Sequence, residues 1–138
     1  MASLAQKLGL KPGQAIYLLD ATPETGRVIR AACDEELGGD VAISETLVDD
    51  PFDLIFFWPR ELEGLAGRFA VLQRQIVPDG AIWVVTPKKA VAQRRGVMLT
   101  WEETQAAALT TDLVDNKIAS ITDEEYGTRF VIRKERRR

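Results

Sequence analysis

Gly80-Ala81-Ile82-Trp83-Val84-Val85-Thr86-Pro87-Lys88-Lys89 is a short apolar run that follows a turn at Pro78-Asp79-Gly80 and stops at Pro87. A run this short, rich in Val, Ile and Trp and without polar alternation, reads as a strand buried on both faces. Two lysines stand at its carboxyl end, where open α/β sheets place their ligand crevices.

Outward from this strand, the preceding segment carries Leu62, Leu65, Ala66, Phe69, Leu72 and Ile76 at helical spacing. Phe52 to Trp58 before it is a nearly unbroken apolar strand ended by Pro59, which belongs in the sheet centre. Val41 to Ile43 is a shorter strand followed by Glu45. The helix ahead of it has Thr22 as its cap, Pro23 at the first position, Glu24 near the positive end of the dipole and Gly38-Gly39 as its stop. Val28, Ile29, Ala32 and Cys33 form its inner face, with Cys33 as inert packing. Ala15 to Leu19 is a first buried strand ending at Asp20, after a Pro12-Gly13 turn and a short helix capped by Ser3 and stopped by Gly9.

Downstream, residues 87–99 read as a loop of low helical promise. Thr100-Trp101-Glu102-Glu103 has capping-box spacing and opens a helix to about Leu109. Asn116 to Ile121 and Thr128 to Ile132 are strands joined by Thr122–Gly127, with Asp123-Glu124-Glu125 as the turn. The expected architecture is α/β: a compact Rossmann-like, mostly parallel sheet of about six strands, helices on both faces and a C-terminal antiparallel hairpin. Residues 1–134 form one domain in this reading, and 135–138 a frayed basic tail.

The chain of 138 residues can bury a core without covalent staples. Its net charge of −3 argues against obligate nucleic-acid binding, although residues 1–79 carry 13 acids and 7 bases and residues 80–138 carry 8 acids and 11 bases. The single cysteine excludes an intrachain disulfide and suits a reducing compartment. The absence of histidine removes the commonest general base and zinc ligand, so no metal site is expected. No run reaches the roughly 18–20 apolar residues of a membrane span, and the N-terminus lacks a signal peptide's apolar core. The expected location is the cytoplasm.

The parallel set finished by a hairpin is similar to the S-adenosylmethionine-dependent methyltransferase fold. Leu10-Lys11-Pro12-Gly13 leading into a strand that ends in an acid, and Phe52-Asp53-Leu54-Ile55, resemble that class. The stretch between the second and third strands is too short for its seven-stranded version. Three blocks resemble more closely a family of small uncharacterised bacterial proteins with this truncated fold: Leu10–Leu19, Trp83–Lys89, and Leu113–Lys117 through to Gly127–Val131. That resemblance implies the fold and leaves the function open.

A methyltransferase cofactor loop reads acid-x-Gly-x-Gly-x-Gly. Here Asp20-Ala21-Thr22-Pro23-Glu24-Thr25-Gly26 keeps the acid and the last glycine, while Thr22 and Glu24 replace the two between. A Cβ at each, with rigid Pro23 between them, opposes close backbone approach. The cofactor residues of this reading are Asp20, Thr22, Gly26 and, as a ribose-binding acid after the second strand, Glu45. The alternative is a plain capped helix start and one more solvated acid. Thr86, Lys88 and Lys89 are candidates for an anionic group, or else a basic loop surface. Trp58-Pro59 can wall a cleft. Asn116-Lys117 lacks the Asp of a guanine-reading motif, since Ala119 stands there.

Three functions follow. The first is a degenerate, non-catalytic methyltransferase-like domain acting as a binding or interaction module. The second is a minimal enzyme binding S-adenosylmethionine or another nucleotide, with Lys88 or Lys89 orienting an anionic substrate. The third is a nucleic-acid accessory protein using Lys88, Lys89, Arg94, Arg95 and the basic tail. A homodimer could pair through the C-terminal hairpin, at Thr128–Ile132.

Overall fold

The computed structural model describes residues 2–137. One six-stranded sheet is formed by β1 (Ala15–Leu19), β2 (Ala42–Ser44), β3 (Phe52–Phe57), β4 (Ile76–Pro87), β5 (Leu113–Ser120) and β6 (Glu125–Ile132) in the order β2-β1-β3-β4-β6-β5. The first four are parallel. β6 runs antiparallel to both β4 and β5, between which it lies.

Side chains alternate across the pleat, so each central strand feeds two cores. Ile16, Leu18, Phe56, Trp83 and Val85 face α1 (Leu4–Leu8) and α2 (Pro23–Leu37), where Leu8, Ile29 and Cys33 meet them. Tyr17, Ile55, Phe57, Ile82 and Phe130 share the opposite core with Leu65, Phe69 and Leu72 of α3 (Leu65–Leu72) and Ala107 and Ala108 of α5 (Trp101–Leu109). The Trp83 indole donates to the Leu8 carbonyl at 3.0 Å, which ties α1 to the sheet without stranding a buried donor. Burial pushes the Cys33 thiol up, as suits an inert packing group. Ser3 and Thr100 make the expected capping boxes.

Several local readings are corrected. The segment read as a loop contains α4 (Lys89–Arg95), built from Ala, Gln, Lys and Arg, which favour helix, and stopped by left-handed Gly96. Pro78–Gly80 is no turn before β4 but part of it. The β3–β4 register jumps from Phe52↔Ile76 to Leu54↔Ala81, and the extra residues lie in that irregularity. There a Cβ on Gly80 would stand 2.8 Å from the Asp53 carbonyl oxygen and 3.0 Å from that of Val77. Accordingly α3 is shorter than its apolar spacing suggests: Ile76 belongs to β4, and Leu62 is exposed ahead of Gly64. β5 starts earlier than expected, at Leu113, and β6 at Glu125. Thr128–Ile132 is flanked on both sides, so the free edge of the hairpin is β5. Lys134–Arg136 forms a 3-10 turn, Arg137 donates to the Ile132 carbonyl at 2.8 Å, and Arg138 lies outside the described residues. No helix among the described residues is long and apolar enough to cross a membrane.

Candidate functional site

The chain leaves β1 towards β2 on one side and leaves the adjacent β3 towards β4 on the other. The carboxyl ends of β1 and β3 therefore flank the topological switch point, where open α/β sheets bind ligands. A cleft of about 940 Å³ opens there. Thr22 and Pro23 after β1, Trp58 and Pro59 after β3, and Val97 and Met98 beyond α4 line it.

At its base sits Glu125, a carboxylate 2% exposed. Thr22 and Thr25, from the cap and first turn of α2, donate their hydroxyls to Oε1, the former at 2.7 Å. The Trp58 indole donates to the same oxygen at 3.3 Å. Arg95 donates to Oε2 at 2.9 Å and to Glu124 at 2.9 Å, and Arg94 also pairs with Glu124. Burial pushes the Glu125 carboxyl up, but the bonds from Thr25, Thr22, Arg95 and Trp58 together outweigh it and hold the group below the ordinary glutamate value. An anion against the first turn of α2 also meets the positive end of that helix.

This hub redefines the expected cofactor residues. The Thr22 side chain does not cap α2 as expected; its hydroxyl is turned to Glu125. Gly26 is already inside α2, its amide donating to the Thr22 carbonyl, and a Cβ on it would approach Ala21 Cβ at 3.3 Å. Asp20 follows β1 with φ 63°, a left-handed conformation that Asp tolerates. Its carboxylate pairs with Arg68 at 3.3 Å and its carbonyl accepts from Arg60. Glu45 follows β2 and pairs with Arg30 at 3.0 Å. Of these four, Thr22 alone lines the cleft.

Thr86 and Lys89 line a second, smaller chamber beside the cleft, whereas Lys88 caps α4 and its amide donates to the Glu124 carbonyl. Among the described residues no carboxylate pairs with Lys88 or Lys89. Sequence reasoning placed Trp58 at a cleft wall, but read Glu125 as a turn acid and Arg95 as a nucleic-acid contact and joined neither to the cleft. Its only hint was the matching pairs Arg94-Arg95 and Glu124-Glu125, which no local pattern joins.

A parallel set, an antiparallel strand inserted beside it and a cleft at the switch point define a methyltransferase-like Rossmann domain. The chain is similar over 98% of its length to a putative type 11 methyltransferase from Sulfolobus solfataricus, covering 92% of that chain (TM-score 0.59, 11% identity). It is similar over 95% to the N-methyltransferase NodS from Bradyrhizobium japonicum WM9 in complex with S-adenosyl-L-homocysteine, covering 84% of that chain (TM-score 0.58, 12% identity). At these identities the likeness carries the fold alone. Residues 5–134 match the family described as "Protein of unknown function (DUF3052)", and the chain belongs to that family. "Uncharacterized protein Rv2239c" of Mycobacterium tuberculosis (strain ATCC 25618 / H37Rv) and "Uncharacterized protein Mb2263c" of Mycobacterium bovis (strain ATCC BAA-935 / AF2122/97) are each 34% identical over 88 residues, 63% of this chain. The match spans about half, 54%, of the length of these relatives.

Proposed function

We propose that this protein is a binding module of the methyltransferase-like fold that transfers no methyl group. One observation carries the reading: the Glu125 carboxylate stands against the first turn of α2, bonded by Thr22, Thr25, Trp58 and Arg95. A helix amino terminus just beyond the first strand is a ready site for a ligand's anion. Here an internal anion already sits there with its acceptors answered. The carboxylate of a methionine-type cofactor would meet Glu125 and Glu24 together, and like charges at close range oppose each other. Thr22 and Glu24 add Cβ atoms where the cofactor loop has glycines, and Gly26 is a helix residue packed on Ala21. These residues do not fit S-adenosylmethionine held in the usual cradle.

The second reading, a minimal S-adenosylmethionine enzyme using Asp20, Gly26 and Glu45, draws on two observations. NodS of the same fold was solved with S-adenosyl-L-homocysteine. The cleft also falls in the range of small-molecule sites. The ion pairs of Asp20 and Glu45 are exposed, and a ligand could displace them at little cost. The nucleic-acid reading is weakened because Arg94 and Arg95 spend their charge on Glu124 and Glu125.

Titration calorimetry with S-adenosylmethionine and S-adenosylhomocysteine separates the first two. The module gives no binding heat at millimolar ligand. Micromolar binding that disappears in Asp20→Ala overturns the proposal in favour of the enzyme.

A further inference from the structure

We propose that the hollow between the start of β4 and the end of β6 is a separate binding site, which takes a small phosphomonoester on a set of arginines. It lies at the end of the sheet away from the cleft, so it stands or falls independently of how that cleft is read. The hollow measures about 580 Å³, within the range of small-molecule sites. Arg74, after α3, and Arg136 and Arg137, after β6, line it together with one carboxylate, Asp112. Two positive charges are thus left unbalanced on its walls. Asp79 and Glu135, the nearest acids in sequence, are exposed and do not line it. A fourth guanidinium, Arg129 of β6, stands close enough to respond. Burial pushes it below the ordinary arginine value, and the charge of Arg137 adds to that push. The chain has gathered like charges around a cavity that it does not itself neutralise, an arrangement that an external anion relieves.

Orientation matters more here than number. The 3-10 turn Lys134–Arg136 folds the segment after β6 back against the sheet. Arg137 is half-buried and donates its Nε to the Ile132 carbonyl at 2.8 Å. Arg136 turns its Nε to Asp112 Oδ1 at 3.8 Å. Each inner nitrogen is committed to the protein, while the paired terminal nitrogens have no acceptor among the described residues. A guanidinium held this way has given up rotamer freedom in advance, and its outer edge can grip two oxygens of one phosphate. The charge balance selects the class of anion. A phosphomonoester, with a second pKa near 6, brings the two negative charges that the walls lack. A carboxylate, a sulfonate or a phosphodiester brings one. Ile76, Pro78 and Ile132 form an apolar side of the hollow, which suits the carbon part of an ester.

The probe is phenyl phosphate, titrated into ¹⁵N-labelled full-length protein at about pH 7.5, where it is a dianion, and followed by backbone amide shifts and calorimetry. The salt is held at about 0.15 M, so that exposed charges are screened. Saturable shifts at residues 73–77, 112 and 132–137 are expected, with an affinity tighter than millimolar. Benzenesulfonate has the ring with one charge and inorganic phosphate has the charge without the ring; both should bind more weakly. Arg74→Gln and Arg137→Gln should each weaken the ester about tenfold, the loss of one charge-assisted contact. Arg137→Lys should restore little, because it keeps the charge and loses the fork. Arg74 makes no bond to the 3-10 turn, so its variant is readable even if Arg137→Gln loosens that turn. Lys7→Gln removes an equal charge from the exposed surface of α1, across the sheet, and should leave affinity unchanged. No saturable shift, shifts centred elsewhere, benzenesulfonate or inorganic phosphate binding as tightly as the ester, or an equal loss in Lys7→Gln overturns the proposal. So does tighter binding of an oligothymidylate that is lost in the same arginine variants, which would make the hollow part of a nucleic-acid surface.

Discussion

Glu125 is buried and yet held ionised, which couples the fold to pH with a definite sign. Its folded pKa lies below the ordinary glutamate value. The stabilisation it contributes is therefore complete above that value and is lost as pH falls through the depressed folded pKa. Thermal melts from neutral to acid pH should show a drop below about pH 4.3. Glu125→Gln should flatten that limb and cost about 1–3 kcal/mol at neutral pH, since an amide keeps the shape but not the charge-assisted bonds. An unchanged acid limb in the variant would mean that other carboxylates set it. None of this was visible around Glu125 itself, which reads as the third acid of a turn. Its donors Thr22 and Thr25 stand about a hundred positions earlier. Asp20 and Glu45 were legible as acids following β1 and β2, because strand ends announce themselves; what those acids pair with depends on Arg68 and Arg30, which no spacing rule links to them.

The elements were legible wherever pattern and punctuation agreed. β1, β3, α2 and the two capping boxes have both an apolar period and a stop signal. α4 was missed because seven residues with one buried side chain, Val91, show too little period to stand out from a loop. The start of β4 was misplaced because Pro78 and Gly80 read as a turn, when the chain there bulges against β3 instead. That geometry predicts opposite outcomes for two glycine replacements. Gly80→Ala drives a methyl against two carbonyl oxygens and should cost about 1–3 kcal/mol in urea unfolding. Gly67→Ala, in α3 with open space around the new Cβ, should stabilise by about 0.5–1 kcal/mol. A neutral Gly80→Ala would show that the β3–β4 irregularity can shift to make room.

On the scale of the molecule, the hairpin has one free edge, and it is poorly made for pairing. β5 is broken by a bulge between Asp115 and Lys117, and Lys117 reaches across to donate to the Lys7 carbonyl. Bulges and lysines are devices that blunt sheet edges. We therefore expect a monomer in sedimentation even at high concentration; a dimer dispersed by Ile118→Lys, at the exposed apolar residue of that strand, would reverse this.

The interior place of β6 has a consequence for synthesis. β4 pairs with β3 on one side and with β6 on the other, and 37 residues separate Pro87 from Glu125. At roughly 5–20 residues per second, a ribosome leaves the apolar edge of β4 without its neighbour for a few seconds. During that interval the nascent chain carries an open template for mispairing at the centre of its future sheet. Its insertion by β6 is the step at which the newborn protein passes from sticky to safe.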